Sequence, residues 1–161
     1  MRHPVVVSDN WIRLIPTDAS WEPAQSSVDL AVAYVVSLFS RPGDSADEVS
    51  AVLHDDVALI DSGVNTSSFT CTICSSLTDV SWVFEVVDER SSDLSDLDVV
   101  LPCCGVTSSL NELAYDWAMG FARFEIGVLN GARARYELDE SELRQVGELL
   151  GHPVRQILAH Y

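Results

Sequence analysis

Each end of this chain reads strand, helix, strand, and those two stretches constrain the fold more than anything else in the sequence. At the N-terminal end, residues 5–15 (VVVSDNWIRLI) read as a strand interrupted at Ser8, Asp9 and Asn10. Pro23 suits the first turn of a helix. Val28, Ala31, Val32, Val35 and Phe39 then recur at helical spacing. Val36 and Leu38 widen that stripe, as in a deeply buried helix, and Arg41-Pro42-Gly43 stop it. A second short helix is expected from Ser45. There Ser45 and Glu48 match the S-x-x-E capping box, and Val49, Val52 and Leu53 supply an apolar face. DDVALIDSG (55–63) reads as a strand ending at Gly63.

At the other end, GFARFEIGVLNG (120–131) alternates cleanly, with Ala122, Phe124, Ile126 and Val128 on one face and Arg123 and Glu125 on the other. ARARYEL (132–138) alternates too, so a hairpin is expected. A two-residue turn at Asn130-Gly131 would set Val128 against Arg133. A three-residue loop, 130–132, sets Val128 against Ala134 and Ile126 against Tyr136, and is the expected arrangement. Asp139 and Glu142 mark the capped start of a helix whose face is Leu143, Val146 and Leu150. Gly151 and Pro153 end it. VRQILAHY closes the chain as a strand. The expected fold is α+β: a mainly antiparallel sheet with helices on one face, built from two split β-α-β halves in a single domain, 1–161.

Between the halves, at about residues 64–110, lies an insert holding all four cysteines, as Cys71-Thr72-Ile73-Cys74 and as adjacent Cys103-Cys104 in LPCCG. C-x-x-C on a tight turn lets two thiolates reach one ion, and two such turns give tetrahedral Cys₄ coordination. The second pair is adjacent instead, and neighbours in extended backbone point apart, so both serve one ion only where the turn bends. His54, His152, an aspartate or water are alternative fourth ligands. Three other readings compete: buried inert thiols, a redox pair and a disulfide. The redox pair would lack the Trp-Cys-Gly-Pro-Cys context that lowers a thiol pKa at a helix start.

The segment PCCG (102–105) resembles the knuckle of a zinc ribbon, which reads C-P-x-C-G. It keeps the proline, the second cysteine and the glycine, and has Leu101 where the first cysteine stands. The resemblance implies a zinc ion held by Cys71, Cys74 and Cys104, with Cys103 either compensating for Leu101 or lying outside the site. Residues 101–130 are also similar to a segment of small bacterial proteins that carry an upstream C-x-x-C, a likeness that implies no particular activity. The expected site is Cys71, Cys74, Cys103 and Cys104 around Zn²⁺ in a zinc-ribbon-like insert.

Charge excludes several functions. The formal net charge is −16, and all nine basic residues are arginine. Without lysine there is no Schiff base and no Walker phosphate clamp. A surface this acidic repels phosphate backbones, so no nucleic-acid partner is expected; a protein that imitates the charge of DNA is the sharper alternative to simple solubility. Residues 85–98 hold six acids and one arginine without EF-hand spacing, which reads as a solvated face. His3, His54, His152 and His160 form no H-x-x-x-H pair, and no G-x-S-x-G elbow or P-loop is present. The most apolar run, 28–39, is too short for a membrane span of about 20 residues. MRHPVVVSDNW lacks an apolar leader core. The expectation is a soluble, cytoplasmic protein whose thiols stay reduced, with a structural zinc site and a protein partner, as an adaptor, inhibitor or immunity-type module. The alternative is a small metal-dependent or thiol-redox enzyme. Tyr115, Trp117 and Phe121 either form an interface or cover the cysteines.

Overall fold

The computed structural model describes residues 9–90 and 93–161. In chain order the elements are β1 (Asn10–Pro16), α1 (Gln25–Leu38), β2 (Glu48–Ile60), β3 (Ser68–Thr70), β4 (Leu77–Asp79), α2 (Ser81–Arg90), β5 (Asp98–Val100), β6 (Thr107–Ser109), β7 (Ala114–Tyr115), β8 (Gly120–Leu129), α3 (Glu140–Leu150) and β9 (Val154–His160). The long strands form one antiparallel sheet in the order β2-β8-β1-β9. In β1-α1-β2 the gap between the two strands is filled by β8. In β8-α3-β9 it is filled by β1. The fold is therefore α+β, two interleaved split β-α-β units of the ferredoxin-like kind. The insert runs from the end of β2 to the start of β8. Whatever precedes Asp9 in the expected first strand, and His3, lie outside the described residues.

The register explains where the first core lies. Ile12 pairs with Val128 and Leu158, and Leu14 pairs with Ile126, so these side chains share one face of the sheet. The helices cover it with Val28, Ala31, Val35 and Phe39 from the α1 segment and Val146 and Leu150 from α3. Each of these side chains larger than alanine, fully buried, contributes about 1.5–3 kcal/mol relative to exposure. The Asp139 carboxylate accepts the Glu142 N–H at 2.8 Å, and Glu142 accepts the Asp139 N–H at 3.0 Å. This completes the expected capping box. Gly151 closes α3 at φ 96°, in the left-handed region.

Two expectations fail, for related reasons. The helix expected from Ser45 is instead the start of the β2 segment, and Ser45 exchanges backbone bonds with Ala132 at 2.7 and 2.9 Å. Val49, Val52 and Leu53 fit helical spacing, but they belong to a strand whose register shifts between Leu53 and Ala58. Before that shift, residues 48–53 pair with β8 in unbroken register, and Val52 and Leu53 stay 42 % and 53 % exposed, so their spacing marks no buried helical face. The strand expected at 132–138, with its three-residue loop, is absent. β8 is already paired along both edges, by β1 and β2, so a returning hairpin strand has no place to bind. The chain turns away at Asn130, which takes φ 50° and donates its backbone N–H to the Asn10 carbonyl at 2.8 Å. Arg133 ties the following loop to α3 through paired bonds to Glu142 at 2.8 and 2.9 Å.

The insert packs against one end of the other sheet face. Ile15, Phe121 and Ile157 from the sheet join Phe69, Cys71, Val83, Val99, Leu101, Leu110 and Met119 in a second core. The cysteine turns are thus anchored on the scaffold by apolar burial.

Candidate metal centre

The sulfurs sit on two short hairpins. β3 and β4 flank the first turn, and β5 and β6 flank the second. In the first, the Cys71 N–H donates to the Ser76 carbonyl and the Ser75 N–H to the Cys71 carbonyl, each at 2.9 Å. In the second, the Leu101 N–H donates to the Val106 carbonyl at 2.9 Å and the Gly105 N–H to the Leu101 carbonyl at 3.0 Å. Residues 71–76 and 101–106 therefore make the same turn. The fifth position has positive φ in both, 62° at Ser75 and 74° at Gly105. Only glycine adopts that region without steric cost, so Gly105 is the better fit.

Position by position, the turns share a plan and differ at two places. The first residue is buried in each, Cys71 at 2 % and Leu101 at 3 % exposure. The fourth is an exposed cysteine in each, Cys74 and Cys104. At the third position stands Ile73 in one turn and Cys103 in the other. Cys103 supplies the sulfur that Leu101 does not.

All four sulfurs lie within 4.8 Å of one another. Cys71 Sγ and Cys104 Sγ are 3.8 Å apart, and Cys103 Sγ and Cys104 Sγ are 3.9 Å apart. Zn–S bonds of roughly 2.3 Å in a tetrahedron set sulfurs about 3.8 Å apart. A disulfide needs sulfurs at about 2.05 Å, and all four cysteines are free thiols. Four cysteines so placed can hold a metal ion.

Backbone N–H groups act on three of the thiols, one of them at hydrogen-bond distance. The Cys74 N–H donates to Cys71 Sγ at 3.5 Å. That bond, with one from the Ile73 N–H, holds the Cys71 thiol below its usual range. The Ser76 hydroxyl and then its N–H lower Cys74 to about 6. The Val106 N–H pulls Cys104 in the same direction, but desolvation and the thiols of Cys71 and Cys74 raise it overall. Cys103 is pushed up to about 12 by desolvation among the sulfurs and by the other three thiols. Four thiolates at this spacing repel one another strongly, and a dication is what allows all four to ionise together.

The packing that fixes the hairpins comes from the residues around them. Phe69 lies 5.9 Å from Trp82 and 6.1 Å from Tyr115, ring centroid to centroid. β7 pairs with β3, setting Tyr115 opposite Phe69. The Asp116 carboxylate accepts the backbone N–H groups of Ser67 at 3.0 Å and Ser68 at 3.2 Å. Tyr115 and Phe121 thus pack in the core beneath the cysteines. Trp117 is 43 % exposed and donates its indole N–H to the Leu158 carbonyl at 2.8 Å, so it does not join the other two in that core.

The other expected ligand types are engaged elsewhere. His54 bonds Glu125 at 2.9 Å, the His152 ring lies 4.9 Å from Trp21, and His160 bonds Asn10 at 2.7 Å. Among the described residues, the four cysteines are the one group of three or more ligating side chains close enough to share an ion. In the acidic stretch, Arg90 donates to the carbonyl oxygens of Asp96 and Asp98 rather than to a carboxylate. No helix among the described residues is long and apolar enough to cross a membrane.

No protein-family model, curated protein or solved structure matches the chain. The zinc-ribbon and bacterial-family resemblances gain no support from these comparisons; what stands is the sulfur cluster itself. The equivalence of the two turns was readable by aligning CTICSS on LPCCGV. The N–H that donates to Cys71 Sγ was not, because it depends on backbone direction.

Proposed function

We propose that this protein binds one zinc ion through Cys71, Cys74, Cys103 and Cys104, that the ion holds the insert together, and that the chain works by binding another protein. The observation that carries the zinc reading is the mutual approach of four sulfurs within 4.8 Å. Thiolate-only, tetrahedral spacing suits zinc among common divalent ions, and a four-cysteine shell leaves no position for substrate. That arrangement supports a structural ion over a catalytic one. The protein-binding half rests on the net charge of −16 and on exposed apolar side chains at the hairpins, Ile73, Leu77 and Val100. The alternative, a small metal-dependent or thiol-redox enzyme, requires an open coordination position or a reversible disulfide.

The test is the metal content of protein purified without added metal, with reactive thiols counted before and after chelation. About one zinc per chain, and thiols that become reactive only on chelation, support the reading. Absence of metal with four freely reactive thiols sinks it. For the partner, cross-links from a photoreactive residue placed at Val100 to a single protein, lost on Ile73→Asp, are expected; cross-links unaffected by that change count against this surface.

A further inference from the structure

The two edges of the main sheet are finished differently. The outer edge of β9 is covered. The His160 N–H donates to the Ser62 carbonyl and the Val64 N–H to the His160 carbonyl, each at 3.0 Å. The side chains of Asn65 and Trp117 donate to the Leu158 carbonyl at 3.1 and 2.8 Å. At the other edge, β2 is paired on its β8 side alone among the described residues. Alternation settles which backbone groups face outward there. The Asn130 N–H bonds the Asn10 carbonyl, so Ile126 and Val128 face β1, and Glu125, Gly127 and Leu129 face β2. Opposite those three stand Val52, Ser50 and Glu48. The N–H and C=O groups of Val49, Ala51 and Leu53 therefore point away from the sheet, and among the described residues no other segment bonds them.

A bare edge accepts an extended strand unless a bulge, a charge or a covering segment prevents it. Beyond Leu53 the edge of β2 is bent and capped: the register shifts before Ala58, and the Arg123 guanidinium takes the His54 and Asp55 carbonyls at 3.4 and 3.1 Å. Residues 49–53 have neither charge nor bulge, and Ala51, Val52 and Leu53 are exposed, on both faces of the strand. Carboxylates bracket them, Glu48 before and Asp55 and Asp56 after. All three are exposed and, among the described residues, in no ion pair.

That charge selects the occupant. A second copy paired antiparallel, Val49 opposite Leu53, would set Asp47 opposite Asp55 and bring together two chains of net charge −16. A strand with basic residues at both ends meets Glu48 at one end and Asp55 and Asp56 at the other. We infer that residues 49–53 of β2 are a docking site for an extended, basic segment of a partner protein, which adds to the sheet as a further strand. Neither the zinc ion nor the hairpin surface enters into it.

The experiment titrates the full chain, isotopically labelled, with the peptide RRVTVTVRR, reading amide hydrogen exchange by NMR and affinity by fluorescence anisotropy. At saturating peptide, exchange at Val49, Ala51 and Leu53 should slow about tenfold or more, the protection a ladder hydrogen bond gives. The flank-reversed peptide EEVTVTVEE should bind about tenfold or more weaker, since several exposed charge pairs turn from attraction to repulsion. Ala51→Pro removes an outward donor without breaking a bond to β8, and should weaken binding about tenfold. Where that variant does not fold, Glu48→Arg/Asp55→Arg should reverse the preference between the two peptides. No binding of RRVTVTVRR, equal binding of both peptides, or slowed exchange at β9 or the hairpins instead overturns the inference. So does slow exchange at Val49, Ala51 and Leu53 before peptide is added: lost on dilution, it assigns the edge to a second copy, and lost on deleting residues 1–8, to the chain's own N-terminal segment. Each of these outcomes leaves the zinc site standing.

Discussion

The two cysteine turns have nearly the same backbone and different chemistry. Both are closed by the same pair of backbone bonds, both bury their first residue, and both place a cysteine fourth. One supplies two sulfurs, from its first and fourth positions. The other spends its first position on an apolar contact and recruits Cys103 instead. A turn of this shape thus fixes two functions at its first residue, packing and ligation. Leu101 takes the first and leaves the second to a neighbour.

The largest effect should come from removing the shared anchor. Cys71 is a ligand and a core residue at once, so Cys71→Ser is expected to lower zinc affinity on the order of 100-fold or more, a loss at or above that of a supporting contact. It should also loosen the insert, because metal binding and folding are coupled. Competition with a chromogenic chelator and near-UV circular dichroism would check both. Wild-type affinity in that variant would erase the distinction between the turns.

In metal-stripped protein the exposed thiols of the two turns should differ in reactivity. With zinc removed, the Cys74 thiol, at about 6, is largely thiolate at neutral pH, while Cys103, at about 12, is protonated. Iodoacetamide is expected to label Cys74 first and Cys103 last. The sign follows from the thiolate fraction: the Cys74 rate rises with pH through about 6 and then levels, and falls on the acid side as the thiol reprotonates. A pH–rate profile with peptide mapping would show it.

The smallest effects concern the fifth position. Ser75 and Gly105 share the left-handed region, and a Cβ built on Gly105 meets nothing within 4 Å. Ser75→Gly should therefore stabilise, and Gly105→Ala destabilise, each by about 1 kcal/mol, because only the backbone term changes. Opposite signs in thermal melts would sharpen the equivalence of the turns. The same sign in both would break it.

Legibility followed how local the cause was. α3 was readable to its ends because Asp139, Glu142 and Gly151 act on their own backbone neighbours. α1 was readable because Val28, Ala31 and Val35 repeat on one face. β2 was not: Val49, Val52 and Leu53 suit a helix or a half-exposed outer strand equally, and β8, some 70 residues on, decides between them. Residues 132–138 misled for the same reason, since their alternation is real and the sheet edge they needed is occupied. At the candidate centre the C-x-x-C and the displacement at Leu101 were plain in the sequence. That Cys103 joins the other sulfurs was a matter of how the bend closes.

The last pair of the β2–β8 ladder, Ile60 opposite Gly120, has a consequence for how such a chain is assembled. Residues 61–119 leave and re-enter the sheet at one point, so as a matter of topology they form a cassette that a short turn could replace. As a matter of solvation they are not separable. Ile15, Phe121 and Ile157, each fully buried, would be left facing water. The scaffold and its cassette are joined at a seam that is open in connectivity and closed in energy. A minimal version of this protein would need those three side chains rewritten before it could stand alone.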